Sequence, residues 1–73
     1  MLRAAHVEGT VTVEFVVGTN GEPEHATIRA VNATHDGFRV SAERVASRMR
    51  FLPAKIGGRP VRAQVTLPIS FLP

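Results

Sequence analysis

The side chains that could carry out catalysis or bind a metal ion are few and are scattered along the chain. A metal site needs ligands that converge on one point, yet the histidines lie at unrelated spacings: His6, His25 and His35. The acidic residues are equally dispersed and form no recognisable acid–base pair: Glu8, Glu14, Glu22, Glu24, Asp36 and Glu43. The chain has no cysteine, which excludes thiol chemistry and disulfides. We therefore expect a non-enzymatic domain with no catalytic residue, no metal site and no cofactor.

Anion binding is the other chemistry that this composition allows, since nine basic and six acidic residues give a formal net charge of +3. Four arginines fall within one predicted helix: Arg39, Arg44, Arg48 and Arg50. Such a face could hold nucleic acid, although it is more often solvated, and cations in the last turn complement the helix dipole. Without tyrosine or tryptophan, and with four phenylalanines that fit core positions, the chain offers no platform for stacked bases. Nucleic-acid binding is therefore kept only as an alternative function.

The first half of the chain has the pattern of a β-hairpin. From Gly9 to Val17, apolar residues recur at every second position, which is typical of a strand with one buried face. Asn20-Gly21 then predicts a tight turn. A second strand is expected over residues 25–33, with Ala26, Ile28 and Ala30 on one side.

A helix is predicted over residues 38–50, with Asp36 as its N-cap. Its apolar residues form a stripe with helical spacing: Phe38, Ser41, Ala42, Val45, Ala46 and Met49. Pro53 prevents the helix from continuing, because proline lacks the N–H and disfavours a helical residue before it.

The longest regular pattern lies near the C-terminus. Gly57-Gly58 permits a sharp reversal, and a single long strand is predicted over residues 59–71, where apolar and polar residues alternate. Pro68 cannot donate a hydrogen bond to a neighbouring strand, so we expect this strand at the edge of its sheet. An edge strand leaves backbone groups free to pair with another chain.

Together these elements predict an α+β fold of order β-β-α-β, a two-layer sandwich with one helix packed on one face of a three-stranded antiparallel sheet. A right-handed crossover puts the final strand beside the first, so the expected sheet order is second, first, third. The 73 residues predict one domain with its core region over residues 9–71. Glu14 should lie on the open sheet face within cross-strand reach of Arg29 and Arg62. The residues expected to be buried together are Val13, Phe15, Ile28, Val45, Met49, Phe51, Val65 and Leu67.

Short motifs in a particular order are a further feature of the chain. They are the run from Gly9 to Val17, Asn20-Gly21, Phe38, Ser41-Ala42, Arg50-Phe51, Pro53-Ala54, Gly58, Pro60-Val61, Val65, Pro68, Ile69 and Phe71. This ordered set resembles the C-terminal domain of TonB, the periplasmic energy transducer of Gram-negative bacteria, over residues 9–71. Met49 stands where that family often carries tryptophan.

The resemblance implies a periplasmic domain of a protein anchored in the inner membrane. It implies two partners: an extended N-terminal peptide of a TonB-dependent outer-membrane transporter, and the inner-membrane motor proteins, reached through a segment N-terminal to this chain. The peptide would add as a strand to the sheet edge and would receive energy for active uptake. Neither nucleic acid nor a membrane is expected to contact the domain, and edge-to-edge pairing of two copies as a homodimer is a further alternative. The expected partner-binding residues lie along the final strand: Arg59, Val61, Arg62, Ala63, Gln64, Val65, Thr66 and Leu67.

Overall fold

A three-stranded antiparallel sheet forms the centre of the molecule in a computed structural model that describes residues 8–72. Its strands are β1 (Gly9–Val17), β2 (Arg29–Ala33) and β5 (Ala63–Phe71), in the order β2-β1-β5. β1 and β5 pair along their whole length, from Gly9 opposite Phe71 to Val17 opposite Ala63. The predicted fold class and sheet order are confirmed, with the final strand at one edge.

The second strand is shorter than predicted and is irregular. Residues His25–Thr27 form a 3₁₀ turn rather than the start of the strand, and the Thr27 hydroxyl accepts a hydrogen bond from the Val16 N–H at 2.9 Å. The register shifts between Thr12 and Val13, which places an extra residue, Val31, in β2 as a bulge. The bulge allows both Ala30 and Ala33 to pack on the core and leaves Val31 44% exposed.

The helix α1 (Arg39–Ser47) is also shorter than predicted. A 3₁₀ turn, Asp36–Phe38, precedes it, and no side chain caps its N-terminus. The prediction that Asp36 is the N-cap is wrong, because the N-cap position is Phe38 and the Asp36 carboxylate bonds to no helix N–H but accepts a hydrogen bond from Arg39 Nε at 3.0 Å. At the other end the chain leaves the helix early to dock on the β1–β2 loop, where the Phe51 N–H donates to the Gly21 carbonyl at 2.9 Å.

The predicted single strand over residues 59–71 is two strands. β3 (Ala54–Ile56) and β4 (Arg59–Val61) form a small antiparallel hairpin around Gly57-Gly58, where both glycines have positive φ. The predicted reversal is therefore confirmed. β4 pairs with β3 and not with β1, because β1 ends at Val17 and the chain turns away after it.

The core lies between the sheet and the helix. Its buried side chains are Val11, Val13, Val17, Phe15, Phe38, Ala42, Ala46 and Phe71. Four of the residues predicted to be buried pack against this cluster while staying partly exposed: Ile28, Phe51, Val65 and Leu67. Val45 is wrongly placed in the predicted core, since it is 40% exposed, and Met49 is only half-buried.

The orientation of α1 explains this correction. Arg39 and Glu43 both hydrogen-bond the backbone of Ala30 in β2. In this orientation Ala42 and Ala46 of the predicted stripe are buried, whereas Ser41 and Val45 are exposed. As a result α1 packs mainly on β2 and β1, and the inner face of β5 stays half-exposed at Val65, Leu67 and Ile69.

Candidate functional site

The two edges of the main sheet differ in whether their backbone groups are free. At the β2 edge, the Ala30 N–H donates to Glu43 Oε2 at 2.9 Å, and the Ala30 carbonyl accepts from Arg39 Nη1 at 2.8 Å. The bulge at Val31 adds a further irregularity to this edge. Bulges and covering side chains are means by which proteins prevent unwanted strand pairing. The helix therefore closes the β2 edge to an added strand.

The orientation of backbone groups in β1 determines which groups of β5 are free. The Thr10 N–H and carbonyl both bond to Thr34, on the β2 side of β1, and those of Val16 also point to the β2 side. Backbone groups alternate in direction along a strand, so the odd-numbered residues of β1 bond to β5. Their partners in the continuous β1–β5 register are also odd-numbered. The even-numbered residues of β5 therefore direct their N–H and carbonyl groups outward.

Pro68 fits this assignment, because it stands opposite Thr12 and has no N–H to offer on the outer side. The outer row of β5 is thus made by Gln64, Thr66, Pro68 and Ser70. In the part of the chain that the structure describes, β5 has a strand partner only on its β1 side. This outer row is what we call the open edge.

The predicted partner-binding residues are divided between two strands: Ala63, Gln64, Val65, Thr66 and Leu67 lie in β5, Arg59 and Val61 lie in β4, and Arg62 lies between the two strands. Gln64 and Thr66 are exposed on the sheet face opposite the helix, whereas Ala63, Val65 and Leu67 are half-buried on the inner face, and Val61 is half-buried in the small sheet. Arg59 is exposed in the β3–β4 hairpin and belongs to the small sheet. The continuous strand that was expected to present all of them is interrupted at Arg62.

Arg62 is already engaged within the domain. Its Nε and Nη2 donate to the two carboxylate oxygens of Glu24 at 2.7 Å each, a bidentate arrangement. These hydrogen bonds lower the pKa of Glu24 below its usual value and raise the pKa of the Arg62 guanidinium. Both side chains are at the surface, so the pair positions the β1–β2 loop against the strand and adds little stability.

The expected contact between Glu14 and Arg62 is therefore wrong. Glu14 stands opposite Thr66 in β5, and Arg62 lies further along the strand, where Glu24 holds it. The contact predicted on the other side does form, with Glu14 opposite Arg29 and 3.4 Å between Glu14 Oε1 and Arg29 Nη2. The two arginines lie on opposite sides of β1, as the predicted sheet order requires.

The helix arginines do not form one free cationic face. Arg39 pairs with Asp36 at 3.0 Å, and Arg50 lies 3.6 Å from Glu22. Arg44 and Arg48 remain exposed, with Arg48 just beyond the helix end. This distribution gives no support to a nucleic-acid surface on the helix.

The side chains that could bind a metal ion are dispersed in the described residues. No group of three His, Cys, Asp or Glu side chains within residues 8–72 is arranged to hold a metal ion. His25 and His35 lie in separate elements, in a 3₁₀ turn and just before the second one, while His6 lies outside the described residues.

Sequence reasoning missed one feature of the site. It is the closure of the β2 edge by Arg39 and Glu43, which depends on how the helix lies across the sheet and has no local signal.

Comparison with known proteins identifies the family. No helix in residues 8–72 is long and apolar enough to cross a membrane. No curated protein matches the chain in sequence. A family model described as Gram-negative bacterial TonB protein C-terminal matches residues 1–73, the whole chain. The chain therefore belongs to the TonB C-terminal family of Gram-negative bacteria.

Proposed function

We propose that this domain is a non-enzymatic periplasmic adaptor that binds an extended N-terminal peptide of an outer-membrane transporter by strand addition at the open edge. Members of the TonB C-terminal family are periplasmic, transport-related domains of Gram-negative bacteria. In this proposal the domain passes inner-membrane energy to the transporter, with the motor proteins contacting a segment N-terminal to this chain. The partner-binding residues are Arg59, Val61, Arg62, Ala63, Gln64, Val65, Thr66 and Leu67.

The observation that carries the proposal is the difference between the two sheet edges. Ala30 at the β2 edge has both backbone groups bonded to helix side chains. Gln64 and Thr66 at the open edge point their backbone groups away from the sheet, and no described residue bonds to them. A protein that avoided strand addition altogether would be expected to protect both edges. Protection of only one edge supports a binding role for the other.

Proline substitution at alternate positions of β5 tests the proposal. Thr66→Pro removes an outward N–H, and β5 already accepts a proline in the same row at position 68, so the variant should fold and lose peptide binding. Val65→Pro instead removes an N–H that bonds to Phe15 in β1, so it should damage the fold. Folding is measured by circular dichroism and binding by calorimetry with synthetic peptides copied from transporter N-termini.

Three results decide between the functions. Amide NMR shifts concentrated on Gln64 and Thr66 when peptide is added, together with loss of binding in a folded Thr66→Pro variant, support the adaptor. Undiminished binding by that variant contradicts it. Shifts confined to the exposed helix arginines, with affinity for oligonucleotides that falls steeply with salt, would favour the nucleic-acid alternative.

Self-pairing of the open edge is the second candidate, and one observation favours it. The outer side of β5 has no strand partner among the described residues, so the β5 strand of a second copy can pair with it. Sedimentation velocity over a range of concentrations tests this arrangement, since Thr66→Pro should abolish any dimer that it produces.

A further inference from the structure

The small sheet projects from one end of the main sheet. β4 leads into β5 at Ala63, which stands opposite Val17, the last residue of β1. β3 and β4 pack mainly against each other and form a sheet separate from the main one. The molecule is 48 Å long but only 17 Å and 15 Å across, whereas a strand as long as β1 spans about 30 Å. The β3–β4 hairpin therefore extends the molecule beyond that end of the main sheet.

Apolar and cationic side chains are exposed together on this hairpin. Ile56 is 72% exposed at the end of β3, and Leu52, two residues before β3, is 95% exposed. Lys55 and Arg59 are exposed next to Ile56, one beside it in the chain and one opposite it. Residues 52–61 contain no acidic residue, and neither cation forms an ion pair within the described part of the chain. The hairpin is thus both apolar and positively charged at its surface.

The distribution of charge along the chain explains why these cations are unpaired. The last acidic residue is Glu43, and six basic residues follow it: Arg44, Arg48, Arg50, Lys55, Arg59 and Arg62. Two acids of the β1–β2 loop reach this part of the molecule, with Glu22 beside Arg50 and Glu24 bonded to Arg62. Both of these arginines lie outside the hairpin, so its own charge is left for a partner.

We propose that the β3–β4 hairpin binds the surface of an anionic phospholipid bilayer, with Ile56 in the interface and Lys55 and Arg59 beside the lipid phosphates. Exposed apolar residues flanked by cations are the combination that attaches peripheral proteins to anionic membranes. Lysine and arginine can extend their charged ends to phosphates while their aliphatic stems lie against apolar groups. This contact was not expected from the sequence, where residues 59–71 were predicted to form one strand of the main sheet.

The pairing of the hairpin places a cation on each of its faces. Ile56 stands opposite Arg59, and Lys55 stands opposite Pro60. Directly opposed side chains lie on the same face, and successive residues alternate between the faces. Ile56 and Arg59 therefore share one face, and Lys55 lies on the other face with Pro60. A hairpin that enters the interface with its turn first has a positive charge on either side.

The shape of the hairpin favours a bilayer over a folded acidic protein. Gly57 and Gly58 form its turn, and a Cβ at either position would have no neighbour within 4 Å. All three residues of β3 are exposed, as are Arg59 and Pro60. Protein partners bind most tightly through side chains buried in pockets, and this convex tip provides none. A convex amphipathic element can instead enter the headgroup region of a bilayer.

Sedimentation with lipid vesicles tests the proposal. The domain should sediment with vesicles of phosphatidylethanolamine and phosphatidylglycerol, far less with phosphatidylcholine vesicles, and added salt should weaken binding. Lys55→Gln should bind the anionic vesicles about fivefold more weakly, as expected for one cation near such a surface. Arg44→Gln is the matched control, because it removes one charge from an exposed position of α1, and its binding should stay close to that of the wild type.

The apolar part of the contact has its own pair of variants. Ile56→Ser should bind anionic vesicles about threefold to tenfold more weakly, because it loses apolar burial in the interface. Val40→Ser, at a position of α1 that is 65% exposed, is the control and should bind like the wild type.

A tryptophan reporter locates the contact, since the chain contains no tryptophan of its own. The fluorescence of Ile56→Trp should shift to shorter wavelength when anionic vesicles are added, because the indole leaves water. Val40→Trp, on the helix, should show no such shift. Circular dichroism establishes that each variant is folded.

Three results would overturn the proposal. One is wild-type binding that does not distinguish anionic vesicles from phosphatidylcholine vesicles. Another is an equal loss in Lys55→Gln and Arg44→Gln, or an equal shift in the two tryptophan variants, because the contact would then not lie at the hairpin. The third is binding to polyglutamate in preference to anionic vesicles, which would assign the hairpin to an acidic protein.

Lipid binding and peptide binding can be tested separately, because Lys55 and Ile56 lie outside β5. Ile56→Ser should bind transporter peptides like the wild type. Loss of both peptide and lipid binding in a folded Ile56→Ser variant would make the hairpin part of the peptide site and overturn a separate lipid contact. If the wild type binds no peptide while Lys55→Gln and Ile56→Ser weaken vesicle binding as stated, the lipid contact stands and the proposed function fails.

Discussion

Substitution of Gly21 by alanine is predicted to be far more damaging than the same substitution at Gly58. Both glycines have a φ near 80°, 83° at Gly21 and 80° at Gly58. Alanine in this left-handed region costs about 1–2 kcal/mol at either position. The surroundings differ, because a Cβ at Gly21 would collide with the backbone carbonyl of Phe51, whereas a Cβ at Gly58 has no neighbour within 4 Å.

The Phe51 carbonyl cannot move away from Gly21 without cost. The Phe51 N–H donates to the Gly21 carbonyl at 2.9 Å, and the Phe51 ring lies 5.6 Å from that of Phe15 in the core. Losing that hydrogen bond and weakening the ring contact each cost about 0.5–1.5 kcal/mol. With the backbone strain included, Gly21→Ala should lose roughly 2–5 kcal/mol. A domain of this size has only about 3–5 kcal/mol of stability in total.

Urea unfolding followed by circular dichroism measures the difference. With a slope of about 1 kcal/mol per molar urea, the midpoint of Gly21→Ala should fall at least about 1 M below that of Gly58→Ala, or the variant should be unfolded without urea. Gly58→Ala serves as the control for backbone strain, and it lies in a hairpin whose local opening need not unfold the sheet. Equal urea midpoints would show that the Phe51 segment can move away from the added Cβ without loss of stability, and this would refute the predicted difference.

Two further predictions concern the core and the surface ion pair. Phe15→Ala should cost about 3–5 kcal/mol of stability, because Phe15 is 1% exposed and removal of its ring leaves a cavity. The control Val45→Ala, at a position that is 40% exposed, should lower the urea midpoint only slightly. A Phe15→Ala protein that melts like the parent contradicts the core assignment. The pKa of Glu24 is lowered in the folded state by hydrogen bonds from Arg62, so its contribution to stability is present above its usual pKa and is lost as pH falls through the lowered value. The melting temperature of the wild type should therefore exceed that of Glu24→Gln at neutral pH, and the difference should shrink on acidification. A difference in melting temperature that stays constant with pH would show that it does not come from ionisation of Glu24.

The contrast between the sheet edges has a consequence for solubility as well as for binding. An open edge next to a half-exposed apolar face favours aggregation unless something interrupts it. Pro68 is one such interruption, since it removes one donor from the outer row of β5 while Gln64 and Thr66 keep theirs.

Much of the sheet could be predicted because its signals are local. The alternation from Gly9 to Val17 and from Ala63 to Phe71 indicated two strands with one buried face each. Asn20-Gly21 indicated the turn that separates β1 from the next segment, and Pro68 indicated the edge. Each of these signals reflects the geometry of one strand or one turn, which neighbouring residues determine. With the right-handed crossover rule they were sufficient for the sheet order.

The remaining features were decided by tertiary contacts. Local spacing placed Val45 in the buried stripe, but the helix lies on the sheet with Arg39 and Glu43 bonded to Ala30, and in this orientation Val45 is 40% exposed. The same bonds close one sheet edge and leave the other open. The long C-terminal run looked like one strand because its alternation is unbroken, but β1 is too short to pair with all of it. Periodicity in a sequence determines which way side chains and backbone groups alternate, whereas the partner of each group depends on elements distant in the chain, and only the folded structure brings those together.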